Sequence, residues 1–299
     1  MSESTRSVVV VGSVNQDVSL HVERIPGPGE TVLARESHVA PGGKGANQAC
    51  AVARSGAACF LVGAVGDDAA GASLAAALAA RAVRLDQLLR LPDVESGGAT
   101  VLVDDTGENC IVVTGGANAA LTPEQVRAGL AAVPGAGVVL TQGELSPACV
   151  AAAAEYAQQH GLRFVHNLAP YRPVPAELLA LCDPLVVNEH EAADLLAGLG
   201  AQADDPETAL ALLQQHCRSL VITLGGDGAA YSSPAGTGRR ASAKVAVVDT
   251  TGAGDAFVGA LTASLLSDDD LGRACEAGVA AGAAAVQHRG ALPDPAGAG

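Results

Sequence analysis

The chain has 299 residues, of which 49% are hydrophobic and 16% charged, with a formal net charge of −15. That is enough apolar material for one large domain with a buried core, and it excludes a disordered chain. The acidic balance argues against nucleic acid or an anionic membrane surface as a partner, since both need a basic patch. It leaves an anionic small ligand open, because a phosphate site is built locally from amides and cations. No run of about 18 strongly apolar residues suggests a membrane span, and the N-terminus lacks the apolar core of a signal peptide. The seven cysteines are unevenly spaced without a C-x-x-C pair, which predicts buried thiols and a cytoplasmic location. Aromatics make up only 2% of the chain and Trp is absent, so Ala, Val and Leu must build the core.

In chain order, 7–11 reads as a strand, 46–54 as a helix, 59–65 as a strand and 69–82 as a helix. The alternation resumes with strands at 137–140, 162–166, 184–187 and 220–224, and helices at 147–160, 189–197 and 206–216. The segment "KVAVVD" at 244–249 has strand character, and helices are expected over 256–266 and 271–287. Strands fed by crossover helices imply a central, mostly parallel sheet with helices on both faces, an α/β domain spanning 1–299. Two regions break the rhythm. Segments 18–40 and 99–114 alternate polar and apolar residues around the turns "PGPGE" and Asp105-Thr106-Gly107. They are expected to pair as antiparallel strands of a small β-sheet lid drawn from about 15–40 and 97–114.

The most informative motif is "DTTGAGDAF", 249–257. A glycine-rich turn that opens a helix directs free N–H groups and the helix dipole at one point, which makes an anion hole. Asp255 then lies in the first turn beside that anion, where its natural role is to accept a proton from an attacking hydroxyl; capping the helix is the structural alternative. A second glycine motif, Gly42-Gly43-Lys44-Gly45-Ala46-Asn47, is neither a Walker A loop nor a dinucleotide fingerprint. Its glycines admit a polyhydroxyl ligand to the backbone, and Asn47 offers both donor and acceptor. Asn15 and Asp17 follow the first strand, where sugar hydroxyls or a simple turn would explain them. Thr223-Leu224-Gly225-Gly226-Asp227-Gly228 repeats the strand-end glycine loop. Asn188 and Glu191 share one helix face and suit a hydrated magnesium ion. The neighbouring His190-Glu191 is no metalloprotease motif, because Asp194 stands where the second histidine should be.

Taken together, "GSVNQD", "PGPGETV", "PGGKGANQA", "TQGELS", "NLAP", "VNEHEA", "ITLGGDG" and "DTTGAGDAF" resemble the ribokinase family of carbohydrate kinases, in its order and spacing over nearly the whole chain. The resemblance implies ATP-dependent phosphorylation of D-ribose at O5. Asp255 would be the base, and Gly252, Ala253 and Gly254 the anion hole. It assigns sugar binding to Asn15, Asp17, Gly43, Lys44, Gly45, Asn47 and Glu144. ATP would lie along Asn188, Thr223, Leu224, Gly225, Gly226, Asp227, Gly228 and Gly254, with Mg²⁺ organised by Glu191 through water. It also implies an activating K⁺ held by Asp249, Thr251, Ala285, His288, Gly290 and Asp294, and a homodimer formed through the lid. Val279 departs from the family pattern and would make an apolar contact with the adenine, and Asp294 replaces a usual serine. Two rival functions share these motifs: the same chemistry on 2-deoxyribose, fructose or a nucleoside, and a non-catalytic sugar- or nucleotide-binding regulator.

Overall fold

The computed structural model describes residues 6–292. Apolar, β-branched runs form the interior strands, because a strand covered on both faces tolerates no alternation. β1 (Ser7–Val11) is entirely buried and lies between β4 (Ala58–Gly66) and β8 (Ala136–Gln142), parallel to both. β5 (Leu88–Leu91) closes one side beyond β4. On the other side β8 is followed by β9 (Arg163–Asn167), β10 (Leu185–Asn188) and β11 (Leu220–Thr223), all parallel. An antiparallel hairpin, β12 (Ala229–Ser233) and β13 (Gly236–Arg240), completes the nine-stranded order β13-β12-β11-β10-β9-β8-β1-β4-β5. The chain runs outward from β1 in one direction, then returns to β8 and runs outward in the other. The crevice at such a reversal, at the carboxyl ends of the strands, is where open α/β sheets bind ligands.

The helices cover both faces. α1 (Lys44–Arg54), α2 (Ala69–Ala79), α9 (Ala253–Leu265) and α10 (Leu271–Ala285) pack on one face around Val8, Val10, Leu61, Leu140 and Leu261. The opposite face carries α3 (Gly116–Ala120), α4 (Pro123–Ala132), α5 (Pro147–Gln159), α6 (Ala176–Leu179), α7 (Glu189–Gly198) and α8 (Pro206–Leu213) around Val9, Val62, Val139 and Leu185. Each strand supplies both clusters by alternation. No helix among the described residues is long and apolar enough to cross a membrane.

A second sheet of four strands stands apart, in the order β3-β2-β6-β7: β2 (Asn15–Val22), β3 (Ala34–Gly42), β6 (Gly97–Val103) and β7 (Asn109–Thr114). It is not wholly antiparallel as expected. β2 and β6 run parallel from Asn15↔Gly97 to His21↔Val103, because each enters the sheet from the same edge of the main one. The residues before Ala34 form a loop, with Leu33 88% exposed. Two other expectations fail. Residues 244–249 form no strand, and Val247 and Val248 are exposed; the segment is held instead by the Val248 amide, which donates to the Val286 carbonyl at the end of α10 (2.7 Å). Cys110, on β7, is exposed rather than buried, and all seven cysteines are free thiols.

Candidate active site

The site is assembled where α1 and α9 begin, beside the ends of β1, β8 and β9. α1 can approach β1 because Gly45 has no side chain: a Cβ there would meet the Gly12 carbonyl carbon and the Ser13 nitrogen at 2.4 Å. That contact lets Ser13 Oγ receive the Gly45 amide and donate in turn to the Glu144 carboxylate, which also accepts the Lys44 amide (2.9 Å). Gly45 is therefore a packing glycine, and Glu144 is fixed from two elements at once. Gly43 caps α1 in a positive-φ conformation (88°).

Asp255 lies in the first turn of α9 and is only 7% exposed. Gly252 precedes it at φ 77°, a left-handed conformation that turns the chain into the helix without a Cβ penalty. The carboxylate is held from α1: Asn47 Nδ2 donates to one oxygen and Gln48 Nε2 to the other, each at 2.9 Å. Gln48 also donates to Asn167 Oδ1 (2.9 Å) and accepts from Gln142 Nε2 (2.8 Å), while Asn167 Nδ2 is anchored on the Val186 carbonyl (3.1 Å). The orientation of every amide in this chain is thereby determined. Burial raises the Asp255 pKa; the Lys44 charge and the two amide donors oppose it, and Glu144 adds to the rise. The product is a desolvated carboxylate of increased basicity whose position is set by neutral donors.

Sequence reasoning missed Gln48, Gln142 and Asn167. It also missed Asn118, which accepts the Val14 amide (2.9 Å) and donates to Asn15 Oδ1 (2.8 Å), so fixing the buried Asn15. Asp17 extends from β2 with one carboxylate oxygen buried and unpartnered. Burial, with the Glu144 charge adding to it, raises its pKa to about 6. Asn47 Oδ1 is likewise buried without a partner among the described residues. Unsatisfied acceptors of this kind are costly unless a ligand's hydroxyls meet them.

On the other side of Asp255 lies a cavity of about 550 Å³. Thr223, Gly225, Gly226, Gly228 and Gly254 line it, with Phe257, Val279, Val245 and Val247 as its apolar wall and Lys244 beside them. Leu224 instead turns into the core, 6% exposed, and Asp227 does not line the cavity. The Ala253 amide is engaged by the Thr250 carbonyl (3.2 Å), and the helical ladder starts with Ala256 donating to Gly252 (2.8 Å). The first-turn amides of Gly254 and Asp255 are therefore the free N–H donors at the start of α9. Asn188 and Glu191 form a reciprocal capping box at the start of α7, each backbone amide donating to the other's side chain at 2.8 Å. Burial raises the Glu191 pKa, opposed by the Asn188 amide and the Lys44 charge, so this helix start lies within the electrostatic reach of the site.

Beside Gly252, Asp249 accepts the Thr251 amide and hydroxyl (2.9 and 2.7 Å) and the Gly290 amide (2.8 Å). Burial works against ionisation of Asp249, but these donors prevail and lower its pKa. Ala285 accepts the His288 amide (3.1 Å), and Asp294 lies outside the described residues. No group of three or more His, Cys, Asp or Glu suited to a metal exists among the described residues. Magnesium needs only one or two carboxylates beside its waters and the substrate phosphates, a requirement that Glu191 fits.

A carboxyl base at a helix entrance, with a polar pocket on one side and a glycine-lined cavity on the other, is the arrangement of a phosphotransferase acting on an alcohol. The sequence comparison gives that class its family. Residues 5–296 match the profile described as "pfkB family carbohydrate kinase", and the chain belongs to that family of ATP-dependent carbohydrate kinases. It is 36% identical over 300 residues to a ribokinase of Schizosaccharomyces pombe, covering 95% of this chain and 93% of the relative. It is 37% identical over 270 residues to a bifunctional ribokinase/ribose-5-phosphate isomerase A of Fructilactobacillus sanfranciscensis, of which it spans 49%. The solved ribokinase of Arabidopsis thaliana complexed with ribose and ATP superposes with a TM-score of 0.87 at 30% identity, covering 97% of this chain and 96% of that one.

Proposed function

We propose that the chain transfers the γ-phosphate of ATP to O5 of D-ribose. The observation that carries this is Asp255: a buried carboxylate aligned by Asn47 and Gln48 between unsatisfied sugar-type acceptors and an anion-facing helix end. Ribose would lie against Asn15, Asp17, Gly43, Lys44, Asn47 and Glu144, its hydroxyls donating to the acceptors of Asp17 and Asn47. Asp255 takes the proton of the 5-hydroxyl as that oxygen attacks in line. The amides of Gly254 and Asp255 face the charge that develops on the transferred group. The adenine would lie in the cavity behind Gly254, against Val279 and Phe257, with Thr223, Gly225, Gly226 and Gly228 at its edge. Glu191 would hold Mg²⁺ through water, and Mg²⁺ when bound neutralises charge on the β- and γ-phosphates. Asp249, Thr251, Ala285, His288, Gly290 and Asp294 would hold K⁺, whose charge offsets the carboxylates flanking the anion hole.

The four-stranded sheet would close over the sugar, since β2 carries Asp17 and begins at Asn15 beside Gly42. Its outer strand β7 exposes Ile111, Val112 and Val113 consecutively at 56–66%, and a second copy of the chain would cover them. The decisive experiment is a coupled ADP-release assay with ribose, 2-deoxyribose, fructose and adenosine, run in potassium and then in sodium. Ribose should give the highest kcat/KM, with faster turnover in potassium. A higher kcat/KM for any other acceptor replaces ribose in this proposal, and binding without ADP release ends it.

A further inference from the structure

A second cavity, of about 410 Å³, lies on the opposite face of the main sheet from the catalytic helices, between α5 and residues 172–181. Leu145, Val150, Leu168 and Leu178 give it an apolar wall, and His166 lines it as well. His166 is 2% exposed. Its Nδ1 pairs with Thr141 Oγ1 at 2.8 Å, and its Nε2 has no partner among the described residues. The Thr141 hydroxyl is fully buried and has no other partner, so the one hydrogen bond between the two side chains occupies Nδ1. Nε2, a donor in one tautomer and an acceptor in the other, is the ring's free hydrogen-bonding atom, and His166 lines the cavity. Burial pushes the His166 pKa down to about 4, which keeps the ring uncharged.

This cavity shares its floor with the catalytic site. Thr141 and His166 are register partners on β8 and β9, and the next pair is Gln142 and Asn167. By alternation the first pair faces the cavity, while the second faces the other way and holds Gln48 against Asp255. The same holds just beyond β8. Gly143 and Leu145 line the cavity, and Glu144 between them reaches Ser13 and Lys44. The loops are tied together as well: the Gly143 amide donates to the Ala169 carbonyl (2.9 Å) and Arg172 to the Leu145 carbonyl (3.3 Å). A shift of these strand ends therefore cannot move one face alone.

We propose that this cavity is an effector site for a small uncharged molecule with an apolar body and one hydroxyl group, which hydrogen-bonds to His166 Nε2 and acts on sugar phosphorylation through the ends of β8 and β9. The coupling rests on the kinase reading above; the binding does not. 2-Phenylethanol is a suitable probe, with one hydroxyl, donor and acceptor at once, on an aromatic body. It should bind saturably and one-to-one by ligand-observed NMR and move the His166 ring resonances in histidine-labelled protein. Ala151, half-buried at the cavity wall, allows the site to be filled from its rim. Ala151→Phe should abolish the binding while leaving melting temperature and basal activity unchanged, and Ala151→Leu serves if the larger side chain prevents folding. In an ADP-release assay, saturating probe should change the KM for sugar at least twofold in wild type and not in the filled variant. The proposal is overturned if the His166 resonances stay still, if ATP displaces the probe, or if filling the cavity leaves binding intact. Saturated binding at His166 with unchanged kinetic constants overturns the effector role; absence of sugar-dependent ADP release overturns the kinase reading and leaves the binding result standing.

Discussion

The two halves of the active site are built by opposite means. The half proposed to face the sugar is dense with hydrogen bonds to side chains: Asn47, Gln48, Gln142 and Asn167 around Asp255, and Ser13 and the Lys44 amide around Glu144. The half proposed to face the nucleotide is built by leaving side chains out, with Gly225, Gly226, Gly228 and Gly254 lining a cavity against apolar residues. A sugar is recognised hydroxyl by hydroxyl, and a site with paired and deliberately unpaired polar groups penalises any acceptor that lacks one. A triphosphate needs backbone amides and room, which glycine provides.

If the sugar side is the catalytic side, the largest loss belongs there. Asp255→Asn should lower kcat about 10²–10⁴-fold, with ribose binding retained by calorimetry. Near wild-type turnover in that variant would remove the base from the mechanism. Gln48→Leu should cost up to about 10²-fold in kcat, the scale on which misplacing a reacting group is felt. It has a second readout that mere loosening would not give: removing a donor raises the Asp255 pKa further, so the acid limb of the kcat–pH profile moves to higher pH. An unmoved limb would make Gln48 a packing residue.

On the nucleotide side the effect should be smaller and confined to one substrate. A Cβ at Gly254 meets nothing within 4 Å, so Gly254→Val leaves the fold intact while obstructing the ligand. Its KM for ATP should rise about tenfold, equivalent to ~1.4 kcal/mol, with the KM for ribose unchanged. Equal changes in both would show that the halves are not separable.

The smallest effect is set by pH. Asp17 accepts sugar hydroxyls best when ionised, so the KM for ribose should rise several-fold as pH falls through about 6. Asp17→Asn should abolish that dependence. Stability moves the other way. A folded-state pKa near 6 against the ordinary 3.8 means that the folded chain binds the extra proton, so this group's destabilisation appears as pH rises across that interval and persists above it. The ligand-free Asp17→Asn variant should accordingly melt at a higher temperature than wild type at pH 7 and at the same temperature near pH 3.5.

Much of the glycine-built half is legible in sequence, because a glycine run between a strand and a helix has few other reasons to exist. The amide network is not. Gln48 sits in α1 between Asn47 and the run Ala49, Cys50 and Ala51, and a second amide at the head of an apolar run was its only local signal. Its partners Gln142 and Asn167 are 94 and 119 residues away. The 244–249 segment misleads in the other direction: alternating valines read as a strand, yet they form a cavity wall beside α10.

The sequence alone determined the α/β alternation, the strand-end glycine loops and the carboxylate in the first turn of α9, because each rests on local backbone preference and short-range pattern. Tertiary structure decided which amides hold Asp255, which direction β2 and β6 share, and that a second cavity backs onto the same strand ends. Those are meetings of residues distant in the chain, and periodicity fixes only the face on which a side chain emerges, not the partner it finds there.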